Sequence, residues 1–343
     1  MITVPTTLVL GAGASYEFGY PLGEALLYEI SDNFISSGTT ATEHFFASGI
    51  NITPISFSDF SKIMRFSGQA SVDAFVERRP DFAELAKHSI AHAILCHEDV
   101  EKPFKQGQNL YKYIYSCMGY SRKKDLFKES NLNIVTFNYD LSLEYFLDTA
   151  IMNSFGLKTE SEAMCLREQS IKIKHVHGHI APLWTEKEPL RKYGGEWTGA
   201  PDERKYPIST DPSTLRQIAV SGRDIKESAK NIHIPFEDLS KESRQAFEDA
   251  FDLLVKARRI IFLGFAYDDR NLRRLLKCEK PEDTPEETLT KGFGGVELYG
   301  SCFGKTERER ETLNEKFKGV LQLGSTTENA LDFLRVAVDL ESS

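Results

Sequence analysis

The sequence has no pair of cysteines spaced to hold a metal. Its five cysteines, Cys96, Cys117, Cys165, Cys278 and Cys302, lie far apart and form no CxxC. A zinc ribbon is therefore not expected. The odd count and wide spacing point to reduced thiols in a cytoplasm. Positive charge is in deficit: 42 Lys and Arg stand against 51 Asp and Glu, a net charge of -9. The basic footprint of a nucleic-acid-binding protein is missing, and no direct nucleic-acid contact is expected. No apolar run approaches the roughly 18 residues that a membrane helix needs. The opening residues lack the basic start and apolar stretch of a secretory signal, so a cytoplasmic protein without membrane contact is expected. Internal repeats and low-complexity tracts are absent as well.

What is present is ordinary for a folded protein. The chain has 343 residues, of which 41% are hydrophobic and 27% charged, enough to bury a core without staples. Thr7-Leu8-Val9-Leu10 is an apolar, β-branched run stopping at Gly11, the pattern of a buried first strand. Leu132 to Phe137, Ile171 to His175, Ile260 to Leu263, Val296 to Tyr299 and Gly319 to Leu323 read as further strands. Apolar residues at helical spacing lie between them, as at Phe82, Leu85, Ala86, Ile90, Ala93 and Ile94. This alternation predicts an α/β fold: a Rossmann-like, mostly parallel sheet with helices on both faces. One domain over 1-343 is expected, with a helical module inserted at about 31-130 and a long irregular excursion at about 181-235. The stretch from Asp73 to Met118 and the excursion are the expected contact surfaces.

Several predicted strands end in small or polar residues, where parallel sheets bind ligands. Gly11-Ala12-Gly13-Ala14-Ser15 follows the first strand. Glycines there let the backbone turn sharply and approach a pyrophosphate. The third glycine of the GxGxxG fingerprint is missing, because position 16 is Tyr, and a tight turn serves equally as an explanation. Thr136-Phe137-Asn138-Tyr139-Asp140 offers an amide and a carboxylate that could hold water, ribose or a carboxamide; an Asx turn capping the next helix is the plainer reading. His175-Val176-His177-Gly178-His179 would align three imidazoles if it stayed on a strand, but no downstream ligand set completes a zinc site. A single base at His177, beside a glycine that admits substrate, is the alternative; His175 and His179 then read as satisfied structural histidines. Leu263-Gly264-Phe265 with Asn271-Leu272, and Gly300-Ser301-Cys302, are strand ends that could touch phosphate or ribose.

Taken together and in order, these pieces resemble the sirtuin-like family, in particular its bacterial NAD-consuming branch. The matching segments are Gly11-Ala12-Gly13-Ala14-Ser15 with Gly19-Tyr20-Pro21, Ser71-Val72-Asp73-Ala74-Phe75, Thr136 to Asp140, His177-Gly178, Leu263-Gly264-Phe265 with Asn271-Leu272, and Tyr299-Gly300-Ser301. The resemblance spans about residues 5 to 340. It implies NAD as substrate, with catalytic roles for Asn138 and His177. It implies NAD contacts at Gly11, Ala12, Gly13, Ser15, Asp73, Phe137, Asp140, Gly264, Phe265, Asn271, Gly300 and Ser301.

The chain departs from the sirtuin deacylases in lacking the four-cysteine zinc module and the Phe-Gly-Glu stretch after His177-Gly178, where His179-Ile180-Ala181-Pro182 stands. The resemblance therefore implies outright NAD hydrolysis, without a metal, by an abortive-infection effector. Deacylation or ADP-ribosyl transfer stays open as an alternative, as does a non-catalytic module that binds NAD or ADP-ribose. His177 would be the general base, with an ordinary pKa of about 6.5 suited to neutral pH. The resemblance also implies a homo-oligomer and a separately encoded partner such as a HerA-type ATPase.

Overall fold

The computed structural model describes residues 2–36, 54–119, 130–183, 191, 193–194, 206–207, 217–218, 220, 222–234, 241–278, 280, 282–338 and 340. Six strands form one sheet: β1 (Thr6–Leu10), β2 (Leu132–Thr136), β3 (Lys172–His175), β4 (Arg259–Leu263), β5 (Glu297–Gly300) and β6 (Leu321–Leu323). Their spatial order is β3-β2-β1-β4-β5-β6, and every neighbouring pair is parallel. The fold is thus Rossmann-like α/β, as the alternation of strands and helices predicts. The chain runs outward from β1 in both directions, so the switch point lies between β1 and β4. Leu10, the last residue of β1, pairs with Thr136 on one side and Leu263 on the other.

Strand periodicity divides the core in two. Leu8, Leu10, Ile134, Ile261 and Leu263 face one apolar cluster, while Val9, Val135, Ile260 and Phe262 face the other. Alternate residues of a strand point to opposite faces, so a sheet with both faces covered reads as a continuous apolar run. All five residues of β1 are buried. Full burial of each such side chain contributes about 1.5–3 kcal/mol.

The inserted helices belong to this core and do not form a separate body. Phe60, Phe75, Ile90 and Ile114 share the cluster that holds Leu8 and Leu10. The helix Ala83–Cys96, expected on an exposed contact surface, buries Leu85, Ala86, Ile90, Ala93, Ile94 and Leu95. That expectation is corrected for this helix: its apolar face is already covered.

The expected excursion also contains order. Within it lies the helix Gly222–Asn231, with Ile225 and Ala229 buried, followed by buried Ile232. Their spacing of four and three residues is helical, but the helix is short and otherwise polar. Arg191 is held by a bidentate ion pair with Glu98, at 2.7 Å for each contact. Tyr193 stacks on Tyr145 at 4.1 Å between ring centroids. The rest of the excursion and part of the insertion lie outside the described residues. Two further helices, Glu160–Ser170 and Glu307–Lys316, escape an apolar-period reading because their exposed faces are polar.

The turns after β1 and β4 meet backbone to backbone. A Cβ on Gly11 would lie 2.5 Å from the Gly264 carbonyl oxygen, and one on Gly13 would lie 2.7 Å from Gly264 Cα. Gly264 has φ +58, and a Cβ there would lie 2.2 Å from the Ala14 nitrogen. Gly264→Ala is expected to destabilise the protein by about 2–6 kcal/mol, combining left-handed strain with overpacking. Gly156→Ala is the control: φ is +60, but open space surrounds the site, so only strain of about 1 kcal/mol is expected. Urea denaturation of both variants checks the difference.

Candidate functional site

The residues singled out from the sequence converge on the carboxyl edge of the sheet. Gly11, Ala12, Gly13 and Ser15 follow β1; Phe137, Asn138 and Asp140 follow β2; His177 follows β3; Gly264 and Phe265 follow β4; Gly300 ends β5 and Ser301 follows it. The first turn is closed on itself. Gly11 N–H donates to Leu263 O, Gly13 N–H to Gly264 O, Ala14 N–H to Gly11 O and Ser15 N–H to Ala12 O. The glycines are therefore required by the neighbouring turn, and these four amides already have acceptors.

Asn138 ties this turn to the β2 loop. Its Nδ2 donates to Gly11 O at 3.0 Å and to Ser15 Oγ at 2.9 Å. A carbonyl can only accept, so the amide nitrogen must face Gly11, and the Oδ1 is left without a protein donor among the described residues. Ser15 is buried, and its hydroxyl also lies 3.4 Å from Tyr111 Oη, which in turn lies 2.8 Å from Ser142 Oγ. Asp140 completes this network. Its Oδ1 accepts from Ser142 N–H at 3.1 Å and from the Ser142 hydroxyl. Burial raises the Asp140 pKa, and the two serine hydroxyls oppose the rise. Asp140 forms the Asx turn that is the plainer reading of the motif. The geometry makes it a positioning residue for Ser15 and hence for Asn138. A cavity of about 10 Å³ among Ser15, Asn138, Asp140, Glu144 and His175 is at the lower limit for one water.

His175, the last residue of β3, supports the same loop from below. Its Nδ1 lies 2.9 Å from Asn138 O and its Nε2 lies 2.6 Å from Glu144 Oε1. Both ring nitrogens face acceptors, so the ring is an imidazolium donating from each. Burial alone would lower the His175 pKa, but Glu144 and the Asn138 carbonyl raise it. Burial would likewise raise Glu144, yet His175 and Arg167 hold it at about 2. His175 is thus a satisfied structural histidine whose proton fixes the Asn138 backbone.

His177 is different. The strand stops at His175, so the alternation that would align three imidazoles is broken. His177 is 4% exposed and its Nε2 has no partner among the described residues. Phe137, Phe247 and Tyr139 surround the ring at centroid distances of 5.2, 5.9 and 6.2 Å. Burial, then the charges of Arg274 and His233, lower its pKa to about 3. The expectation of an ordinary imidazole near pH 6.5 is corrected: the ring is neutral across the physiological range, because burial and the charges of Arg274 and His233 outweigh the opposing charge of Asp268. Gly178 is also reassigned. With φ +70, its missing Cβ makes room for Asn231 O, which a Cβ would approach at 1.7 Å, rather than for substrate. His179 Nδ1 donates locally to Ile180 O at 2.6 Å. No group of three or more potential ligands capable of holding a metal occurs among the described residues.

Asp73 reaches the site from the helix Val72–Arg78, capped by Ser71. Its Oδ1 accepts from Tyr139 Oη at 3.1 Å, which joins the inserted helices to the β2 loop. Burial raises its pKa; the Tyr139 hydroxyl and the charges of Arg270 and Arg274 oppose the rise. Phe265 is core, 5.0 Å from Phe137 and 5.5 Å from Phe262. Ser301 is buried and accepts from Gly264 N–H at 2.9 Å, and a Cβ on Gly300 would strike Tyr267 Oη. These residues build the β4 and β5 turns. Asn271 lies in the first turn of the helix Asp269–Leu275, with its N–H donating to the Asp268 cap at 3.2 Å.

Sequence reasoning missed Tyr111, Glu144 and Tyr267. Tyr267 has φ 61, an unusual conformation for a bulky residue, and donates to Ser301 O at 3.2 Å. Nothing in the spacing marks Tyr111 or Glu144. Their roles come from packing against loops distant in sequence.

The His175–Glu144 pair predicts a pH signature. His175 is raised, so its contribution is full below the unfolded pKa of about 6.5 and is lost as pH rises through the folded value. Glu144 is depressed, so its contribution is present above about 4.5 and lost as pH falls toward about 2. Glu144→Gln is expected to cost on the order of 3 kcal/mol at pH 6. The gap to wild type is expected to narrow as pH rises beyond neutrality. Thermal melts of both proteins across pH 5 to 9 check this.

No family model matches the chain, and no curated protein matches its sequence. Among solved structures, it is similar to the structure of Sir2Tm bound to a propionylated peptide, with 16% identity and a TM-score of 0.33, covering 96% of this chain and 90% of that one.

Proposed function

We propose that the protein is an NAD glycohydrolase that cleaves NAD to nicotinamide and ADP-ribose. The observation that carries the reading is the buried, unpartnered Nε2 of His177 at the carboxyl edge of the sheet. A buried ring nitrogen without a partner inside an aromatic box costs about 1–3 kcal/mol, which a ligand hydroxyl, able to donate or accept, would recover. The undonated Oδ1 of Asn138 is a second acceptor on a fixed loop. Two neutral acceptors suit a ribose, whose hydroxyls donate, and a sugar that becomes cationic.

The chemistry requires little from a base. The bond between ribose C1′ and the pyridinium nitrogen breaks, and its electron pair leaves with neutral nicotinamide. The sugar becomes oxocarbenium-like, as in glycoside cleavage. Asn138 Oδ1 orients the ribose hydroxyls or the attacking water. Water adds through its oxygen to C1′, and its proton passes through the ribose hydroxyl bonded to His177 Nε2, by way of that nitrogen, to solvent. Water bonded to such a cation is strongly acidic, so a ring held at about 3 still accepts its proton. A neutral ring also avoids placing a second positive charge beside the sugar. Ser15, Asp140 and His175 hold Asn138 in place, and no step passes through a metal.

An unregulated NAD hydrolase would empty its own cell of a central cofactor. The reading therefore extends to a cytoplasmic abortive-infection effector, a homo-oligomer controlled by a separately encoded protein such as a HerA-type ATPase. The experiment follows nicotinamide release from NAD by the purified chain, alone and with the products of its neighbouring genes. Release is expected to be weak alone, strong in the assembly and independent of any acylated peptide. Asn138→Ala and His177→Ala are each expected to lower it by at least about 100-fold while still folding, with a reduced melting temperature. Release that requires an acylated peptide would favour deacylation; labelled protein would favour ADP-ribosyl transfer. NAD binding without release would favour a regulatory module.

A further inference from the structure

The inserted helices send one hydroxyl into the network that holds Asn138. Tyr111, in the first turn of the helix Leu110–Cys117, is buried. Its ring stacks on Phe18 at 3.8 Å between centroids, and the Leu110 N–H beside it donates to Glu17 Oε1 at 2.9 Å. The start of this helix is thereby fastened to the segment that follows the first turn. Tyr111 Oη lies between two serines, 2.8 Å from Ser142 Oγ and 3.4 Å from Ser15 Oγ.

Either oxygen of these two contacts could supply the proton, and the ends of the chain decide which does. At one end, the Ser142 hydroxyl donates to Asp140 Oδ1. A hydroxyl has one proton, so Ser142 Oγ accepts from Tyr111. The Tyr111 proton is then committed, and the contact with Ser15 uses the Ser15 proton. At the other end, Asn138 Nδ2 can only donate: one proton goes to Gly11 O and the other to Ser15 Oγ. The bonds therefore run one way, from the Asn138 amide through Ser15, Tyr111 and Ser142 to the buried Asp140 carboxylate. Bonds in such a chain polarise and strengthen one another.

We propose that Tyr111 is a positioning residue for the reaction: its hydroxyl is the link through which the Asp140 carboxylate fixes the Asn138 amide and keeps Asn138 Oδ1 free for substrate. The assignment rests on the NAD reading only for its consequence in turnover. It gives the inserted module a part in the geometry of the site through a single oxygen atom. A phenylalanine would lack that atom while keeping the ring and its stacking on Phe18.

Tyr111→Phe tests the assignment. Solvent exchange of the Asn138 side-chain amide protons, followed by NMR, is expected to quicken by about 10-fold, and nicotinamide release to fall by about 10-fold, the effect of one hydrogen bond lost from a buried chain. The backbone amides of β2 are expected to keep their protection. Ser142→Ala is expected to act alike, and the double variant no more strongly than either change, because both cut one chain. Tyr115→Phe is the control: it lies on the same helix, its hydroxyl faces Ala150 O at 3.5 Å, and Asn138 is expected to be unaffected. Unchanged Asn138 exchange in Tyr111→Phe, additive effects in the double variant, or faster exchange shared by β2 overturns the assignment. If Tyr111→Phe does not fold, Asn138 exchange in Ser142→Ala decides in the same way. Faster Asn138 exchange in the variants of a protein whose wild type releases no nicotinamide leaves the chain standing and overturns the NAD reading.

Discussion

The turns that follow β1 and β4 occupy the same space, and the site depends on that contact. Gly11 and Gly13 give up their Cβ volume to Gly264, and Gly264 gives up its own to Ala14. The two turns exchange backbone hydrogen bonds, from Gly11 to Leu263 and from Gly13 to Gly264. This closes the switch point of the sheet into one rigid surface. Gly11 O, held there, receives Asn138, and Gly264 N–H, on the other side, donates to Ser301. Loops from β1, β2, β4 and β5 are thereby locked through a few shared atoms.

A second layer keeps the acceptors of the site in place. Asn138 is held through its side chain by Gly11 and Ser15 and through its carbonyl by His175. His175 stays protonated because Glu144 lies 2.6 Å away. His177, two residues on, is buried with no carboxylate bonded to it, and so stays neutral. Two histidines of one short segment are thus driven to opposite charge states by their surroundings. The charged one positions the loop, and the neutral one offers a free nitrogen.

Much of the fold is legible in the sequence because buried strands of a parallel sheet are continuous apolar runs. Thr7 to Leu10 and Ile260 to Leu263 are such runs, ended by glycine. The helices Glu160–Ser170 and Glu307–Lys316 are less legible, since few or none of their residues are buried. Their start signals are present all the same: Thr159 and Thr306 each stand three residues before a glutamate, and the Thr306–Glu309 capping box is complete. The site is legible as a set of positions and not as a set of roles. Gly11, Gly13 and Gly178 are glycines for reasons of loop and helix packing, which no local pattern carries. The displacement of His177 from its ordinary pKa comes from Phe137, Tyr139 and Phe247, brought together only by the fold.

The central claim is that His177 is a neutral ring whose free nitrogen waits for a ribose hydroxyl. Nitrogen NMR of the histidine side chains, recorded while ADP-ribose is added, tests it most directly. The account predicts a His177 ring that is neutral throughout pH 5 to 8, with an Nε2 resonance that shifts to that of a hydrogen-bond acceptor as the ligand binds. A His177 that titrates near pH 6.5, or an Nε2 resonance unmoved by saturating ADP-ribose, would contradict it.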